Sequence, residues 1–248
     1  LDDLRESLVP QYENSPLEIT IVGDFDETDM VSFCSNNFGS LPKKEYSNTK
    51  PTVLPRFPVG ETYEKVMNLD QDKGFVRMAW LTEDYWDIKR TRRLNLLASI
   101  MDERLRKLIR EKSGDSYSPA ALSSNSRIYE GYGKIVAEVM TDSSSLNSVI
   151  EQIHQVIQSL HEIPITMEEL ERSKQPLLTS IKDRVKTNDY WLSSVLSLST
   201  RHPQQLAWSQ SLLEDYHSIS IEDISLLIKK YLTEKRLAVG ILEAVPEG

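Results

Sequence analysis

The stretch Arg110-Glu111-Lys112-Ser113-Gly114-Asp115-Ser116-Tyr117 decides how this chain is read, because an arginine here closes a long amphipathic helix and a tyrosine opens the next strand. Upstream of it, Leu94, Leu97, Met101, Leu105 and Leu108 recur at spacings of three and four, giving one apolar stripe that must lie on a sheet. Gly114 lets the chain leave the helix through a left-handed residue, which keeps Arg110 and Tyr117 at one end of the element pair. A guanidinium presents several fixed donors and a phenol one more, so the two suit a peptide carbonyl or an oxyanion. Both also have ordinary uses. An arginine near a helix C-terminus complements the helix dipole, and a tyrosine starting a strand is common.

Outward from this stretch, residues 63–69 and 75–81 flank Asp70-Gln71-Asp72-Lys73-Gly74 and predict an antiparallel hairpin. Residues 121–128 and 134–141 predict two more strands around Tyr129-Glu130-Gly131-Tyr132-Gly133, read either as a turn with rings packed about it or as a ligand-touching loop. The second half is helical. Leu146, Val149, Ile150, Ile153, Val156, Ile157 and Leu160 form one face of a helix that ends before Pro164, and Thr166 with Glu169 predicts a capping box for the next, kinked at Pro176. Shorter helices are predicted over 190–200 and 204–216, broken at His202-Pro203; Ser220 with Asp223 starts another, and 236–243 closes the chain as a strand. At the other end, residues 2–9 predict a short helix ended by Pro10, Leu17, Ile19 and Ile21 alternate as a strand, and 27–37 predict a helix that stops at Gly39.

Strands in blocks and helices in blocks indicate an α+β fold: a mainly antiparallel sheet of about five to six strands with helices packed on one face. The expected organisation is a single domain over 1–248, with a strand–helix opening (1–42), an extended proline-bearing connection (43–60) and a main body (61–248). The opening is too small to bury a core of its own.

Composition narrows the function classes. Of 248 residues 39% are hydrophobic and 27% charged, a globular mixture, and no apolar run approaches the length that crosses a bilayer. The chain begins at Leu1 with no signal-like segment, so a fragment of a longer polypeptide is expected. Cys34 is the single cysteine, which excludes an internal disulfide and reads as a small hydrophobe. Net charge is −9, yet residues 88–112 hold nine basic side chains against three acidic ones, a helix of +6 in a remainder of −15. Such a helix faces an acidic partner domain, steers acidic substrates or forms a solvated face. Without an overall basic balance or interleaved aromatic and basic surface strands, nucleic-acid binding is not expected. Phosphate-loop, dinucleotide, GxSxG and calcium-loop motifs are absent. Asp24, Asp26 and Asp29 could hold a hard cation or, more simply, complement a helix N-terminus.

Several of these motifs together resemble one family. They are Leu17-Glu18-Ile19-Thr20-Ile21-Val22-Gly23-Asp24-Phe25-Asp26, a helix, then Phe38-Gly39-Ser40-Leu41-Pro42; the helix with Arg110 and Tyr117; and the helix start from Thr166 to Lys174. From about residue 4 to about 245 the chain resembles the C-terminal, zinc-free domain of the pitrilysin/insulinase family of zinc peptidases. The resemblance implies a fold like that of LuxS and mitochondrial processing peptidase, in which HxxEH holds zinc in one half of a clamshell and the opposing half presents an arginine and a tyrosine. Carried onto this chain, those substrate-binding residues are Arg110 and Tyr117. The implied zinc is bound outside this chain, and the implied partners are zinc-bearing N-terminal domains of the same polypeptide or a partner subunit, together with peptide substrate. The histidines, His154, His161, His202 and His217, never stand in the HxxEH relation, so no metal site is expected here and the chain alone should not cleave peptides. A silent relative, a structural core subunit or the non-zinc half of a processing heterodimer, fits the same motifs.

Overall fold

The computed structural model describes residues 1–45, 54–68, 72–113 and 118–245. They form two compact units, one from Leu1–Thr52 with Lys182–Gln210 and one from Val53–Ile181 with Ser211–Gly248.

The larger unit is built on five strands, β1 (Thr62–Asn68), β2 (Gly74–Thr82), β3 (Ser118–Asn125), β4 (Gly133–Thr141) and β5 (Leu237–Val245), in the order β1-β5-β2-β4-β3. The β5–β2, β2–β4 and β4–β3 pairs are antiparallel and β1–β5 is parallel. This is the α+β, mainly antiparallel sheet that the sequence predicts. The predicted hairpin of β1 with β2 is not formed, because the C-terminal strand enters between them. The reason lies in composition: Leu237, Ala238, Val239, Ile241 and Leu242 are apolar on both faces and suit a central position, whereas Glu64, Lys65 and Asn68 keep β1 at an edge. On one sheet face Val76, Met78, Trp80, Ile135, Ala137 and Val139 are all buried. On the other, Arg77 and its register partner Glu138 form a cross-strand ion pair at 2.7 Å.

Helices α3 (Ile88–Ser113), α4 (Leu146–Glu162) and α8 (Ile221–Tyr231) pack on the buried face. The apolar stripe of α3 is wider than its spacing predicts. Leu96, Ala98, Ile100 and Ile109 are buried along with Leu94, Leu97, Met101 and Leu105, because α4, α8 and β3 surround the helix on several sides. Each such side chain contributes about 1.5–3 kcal/mol. The helix α5 (Met167–Arg184) runs through Pro176 as one element, and Thr166 accepts from the Glu169 amide at 3.1 Å, which is one half of the predicted capping box; the Glu169 carboxylate is held by Arg104 instead. After it come a π-helical turn (Tyr190–Leu196), α6 (Gln204–Gln210) and α7 (Leu212–Ser218). The capping box at the start of α8 is complete, with Ser220 and Asp223 bonded both ways.

In the smaller unit, α1 (Asp2–Asn14) continues past Pro10, where a helix end is predicted. Proline removes only one helical hydrogen bond, and the Glu6 carbonyl that loses it is on an exposed residue free to meet water. Asp26 caps α2 (Glu27–Phe38), accepting from the Asp29 amide at 3.0 Å, the simpler of the two readings of the acidic cluster. The predicted strand at Leu17, Ile19 and Ile21 is not assembled: residues 16–22 have no regular secondary structure, since a strand needs a neighbour for its amides and none of the sheet strands takes them.

Candidate functional site

Arg110 lies in the last described turns of α3 and is exposed; Tyr117, with Gly114 and the predicted left-handed exit, falls outside the described residues. The surroundings of Arg110 are fixed by the helix itself. Asp102, Arg106 and Arg110 follow one another at i, i+4 and i+8 and share one flank of α3. On that flank Asp102 accepts from the Ala121 amide of β3 at 2.8 Å and from Arg106 Nε at 2.7 Å. The carboxylate therefore occupies an amide of the edge strand and fixes the register of α3 against β3, which carries Arg110 toward the beginning of that strand at Ser118. Sequence reading missed Asp102 and Arg106, although their spacing of four before Arg110 is a visible signal.

The other arginines of α3 are engaged. Arg90 pairs with Glu83 at 2.7 Å, and Arg93 with Asp223 at 3.1 Å. Arg92 and Asp215 form a buried pair joined by Ser211. Arg104 grips both oxygens of Glu169 at 2.7 and 2.9 Å and donates to the Ser159 carbonyl at 2.9 Å. The Arg104 bonds hold the Glu169 carboxyl below its ordinary range against the opposing effect of burial. Arg110 differs from all of these: it has no side-chain partner among the described residues.

Beside Arg104, between α3, α4 and the start of α5, lies a cavity of about 370 Å³ with Leu108, Val156 and Ile163 in its wall and Lys107, Glu111 and Arg172 among the charged residues lining it. The Arg104 donors are already directed at Glu169 and at main-chain oxygens, so this hollow has no convergent set of open donors for an anion. Arg172 is likewise paired with Glu103. The loop after β3 holds its rings against one another, Tyr129 on Tyr132 and Tyr132 on Phe57, each with centroids 6.4 Å apart, around Gly131 with φ of 67°. That is the packed-turn reading of the loop.

Among the described residues no three His, Cys, Asp or Glu side chains come together as a metal site. His161 is directed at the Leu232 carbonyl, 2.7 Å away, and His154 stands 4.0 Å from Glu234 on the surface. No described helix is long and apolar enough to cross a membrane.

Residues 1–177 match the family described as the peptidase M16 inactive domain. The chain belongs to this family. Across 91% of its length it is 24% identical to the chloroplastic stromal processing peptidase of Oryza sativa, and 22% identical to that of Pisum sativum. It spans only 22% of the length of these relatives. The M16 inactive domain from Pseudomonas fluorescens superposes with a TM-score of 0.71 at 17% identity, over 92% of this chain and 54% of that one. The periplasmic protease PqqL of Escherichia coli superposes with a TM-score of 0.68 at 13% identity, over 90% of this chain and 25% of that one. Both likenesses are of fold, and they place the α+β sheet with its helical layer among M16 domains.

Proposed function

We propose that this M16 inactive domain is the C-terminal, non-zinc part of a zinc metalloendopeptidase, closing one side of a substrate chamber and presenting Arg110 and Tyr117 to a bound peptide. The observation that carries the reading is Arg110: exposed, at the end of a helix registered on β3 by Asp102, and without a carboxylate partner among the described residues where the neighbouring arginines each have one. An arginine in that condition keeps its fork of donors for a ligand. Zinc and the glutamate base would come from the companion domain. Arg110 would orient the scissile region, and Arg110 with Tyr117 would donate to the carbonyl oxygen as charge develops on it, at about 3 kcal/mol per well-placed donor. Relatives named as processing peptidases, and a ferredoxin protease of the same fold solved in complex with ferredoxin, support a protein or peptide as substrate.

Arg110→Ala and Tyr117→Phe, each in the protein assembled with its zinc-bearing domain, should lower kcat/KM by one to two orders of magnitude with the melting temperature unchanged. Undiminished cleavage by both variants would refute the assignment.

A further inference from the structure

The hollow between α3, α4 and the start of α5 has polar walls that are engaged and a rim that is not. All five N–H groups of Arg104 are used, on the two Glu169 oxygens, the Ser159 carbonyl and hydroxyl oxygens and the Ile163 carbonyl. Ser159 donates its own hydroxyl to the Val156 carbonyl at 2.7 Å, and the Thr166 hydroxyl accepts from the Glu169 amide. Arg172 is bonded to Glu103 and Glu168, and Ser173 donates to the second Glu103 oxygen at 3.2 Å. Lys107 and Glu111 differ from these. They lie one turn apart on the flank of α3 that lines the hollow, both exposed and neither with a side-chain partner among the described residues. An ammonium and a carboxylate at i and i+4 can bond to each other. These two are not bonded, and they border a cavity of about 370 Å³ whose apolar wall is Leu108, Val156 and Ile163. Val156 is 2% exposed and Ile163 59%, so the apolar wall runs from the buried depth of the cavity out to its mouth.

We infer that this hollow binds a free α-amino acid with a large apolar side chain, its carboxylate on Lys107, its ammonium on Glu111 and its side chain against Leu108, Val156 and Ile163. The volume falls within the range of small-molecule sites. A simple anion would meet Glu111 as well as Lys107, a simple cation would meet Lys107 as well as Glu111, and a purely apolar molecule would take water from both charges without replacing it. A zwitterion answers both charges at once. An α-amino acid carries its two charges on one carbon, close enough together for side chains one helical turn apart. Neither Arg110 nor peptide cleavage enters into this binding.

Methyl-resolved NMR of the full protein, titrated with L-leucine, reads the site without any measurement of cleavage. The methyl signals of Leu108, Val156 and Ile163 should shift and saturate, while those of Leu226, 66% exposed on α8, stay fixed. N-acetyl-L-leucine, which lacks the ammonium, and L-leucinamide, which lacks the carboxylate, should each bind about tenfold more weakly. Lys107→Gln and Glu111→Gln, both at exposed positions, should weaken L-leucine binding to the same degree. Lys107→Glu combined with Glu111→Lys, which exchanges the two charges, should recover most of the affinity. Absence of saturable shifts at the three methyl-bearing residues would overturn the inference. So would equal affinities for leucine and both derivatives, which would make the hollow a purely apolar crevice, and so would binding of the acetylated form as tight as that of leucine, which would make it a carboxylate site.

Discussion

Glu83→Gln, immediately after β2, should separate the electrostatic part of the larger unit's stability from its packing. One Glu83 oxygen accepts from Lys230 at 2.7 Å and from the Tyr231 hydroxyl at 2.6 Å, the other accepts from Arg90 at 2.7 Å, and its carbonyl accepts from Asn125 at 2.6 Å. One residue thereby ties the end of β2 to α3, α8 and β3. The Lys230 bond foremost, then the Tyr231 bond and the Arg90 charge, hold the carboxyl down at about 2 from an ordinary 4.5, against burial acting the other way. For a fully desolvated group that difference is worth about 3 kcal/mol. The side chain is 32% exposed, and screening by water leaves about 1–2 kcal/mol. Because the folded-state value is depressed, this stabilisation is complete above about pH 4.5 and is lost as pH falls toward about 2. Glutamine keeps the shape but not the charge. At pH 7 the variant should be about 1–2 kcal/mol less stable and melt a few degrees lower. Urea unfolding at pH 7, 5, 4 and 3 should then show the gap between the two proteins closing below about pH 4.5. Equal midpoints at pH 7, or a gap that stays constant down to pH 3, would refute the reasoning.

Asp215→Ala should cost about 3–5 kcal/mol in chemical denaturation, because it leaves Arg92, whose side chain is 5% exposed, as a buried charge without its carboxylate. Gly133→Ala should cost about 1–3 kcal/mol in the same assay, since an added Cβ would stand 2.1 Å from the Glu83 carbonyl and 2.7 Å from Thr82 Oγ1. Asp102→Ala should remove about 1 kcal/mol of stability and, in the assembled peptidase, lower kcat/KM several-fold by loosening the register that places Arg110. Asp102→Asn, which keeps an acceptor for the Ala121 amide, should restore most of that activity, and no restoration would refute the part given to that hydrogen bond.

What the sequence disclosed followed from local rules. Period-3.6 and period-2 patterns located α3, α4, β2 and β4, and the Ser220 and Asp223 pair located the start of α8, because apolar spacing and capping act within a few residues. Strand order was not legible in this way. Whether β2 has β1 or β5 beside it depends on a residue pairing such as Met78 with Val239, about 160 positions apart, which no local pattern encodes. The alternation at Leu17, Ile19 and Ile21 was visible, but the same alternation serves a strand with a sheet in its own chain and one without. The helix end expected at Pro10 failed for another reason: an exposed helix tolerates one missing hydrogen bond. At the candidate site, Arg110 was legible because it ends a helix, whereas its registering partner Asp102 became apparent only once the Ala121 amide of β3 lay against it.

The charge of α3 bears directly on how Arg110 is understood. Its excess of cations invited three readings, an acidic partner domain, steering of acidic substrates or a solvated face; Lys89, Arg106, Lys107 and Arg110 are exposed, while the other arginines meet carboxylates of the larger unit. Glu83 and Asp84 beyond β2, Asp215 on α7, Asp223 on α8 and Glu169 on α5 answer Arg90, Arg92, Arg93 and Arg104, drawn from several parts of the larger unit. These arginines thus act as ties between α3 and the elements around it, and the acidic remainder of the chain supplies their counter-ions. Arg110 lies beyond the last of these ties. Its charge is favoured there by the dipole of the helix C-terminus and requires no carboxylate to be tolerated. An arginine already held by a carboxylate has to break that bond before it can grip a carbonyl; one stabilised by the helix terminus alone does not. The other arginines of α3 are neutralised by their neighbours, whereas Arg110 has no side-chain partner among the described residues, and the role proposed for Arg110 rests on that difference.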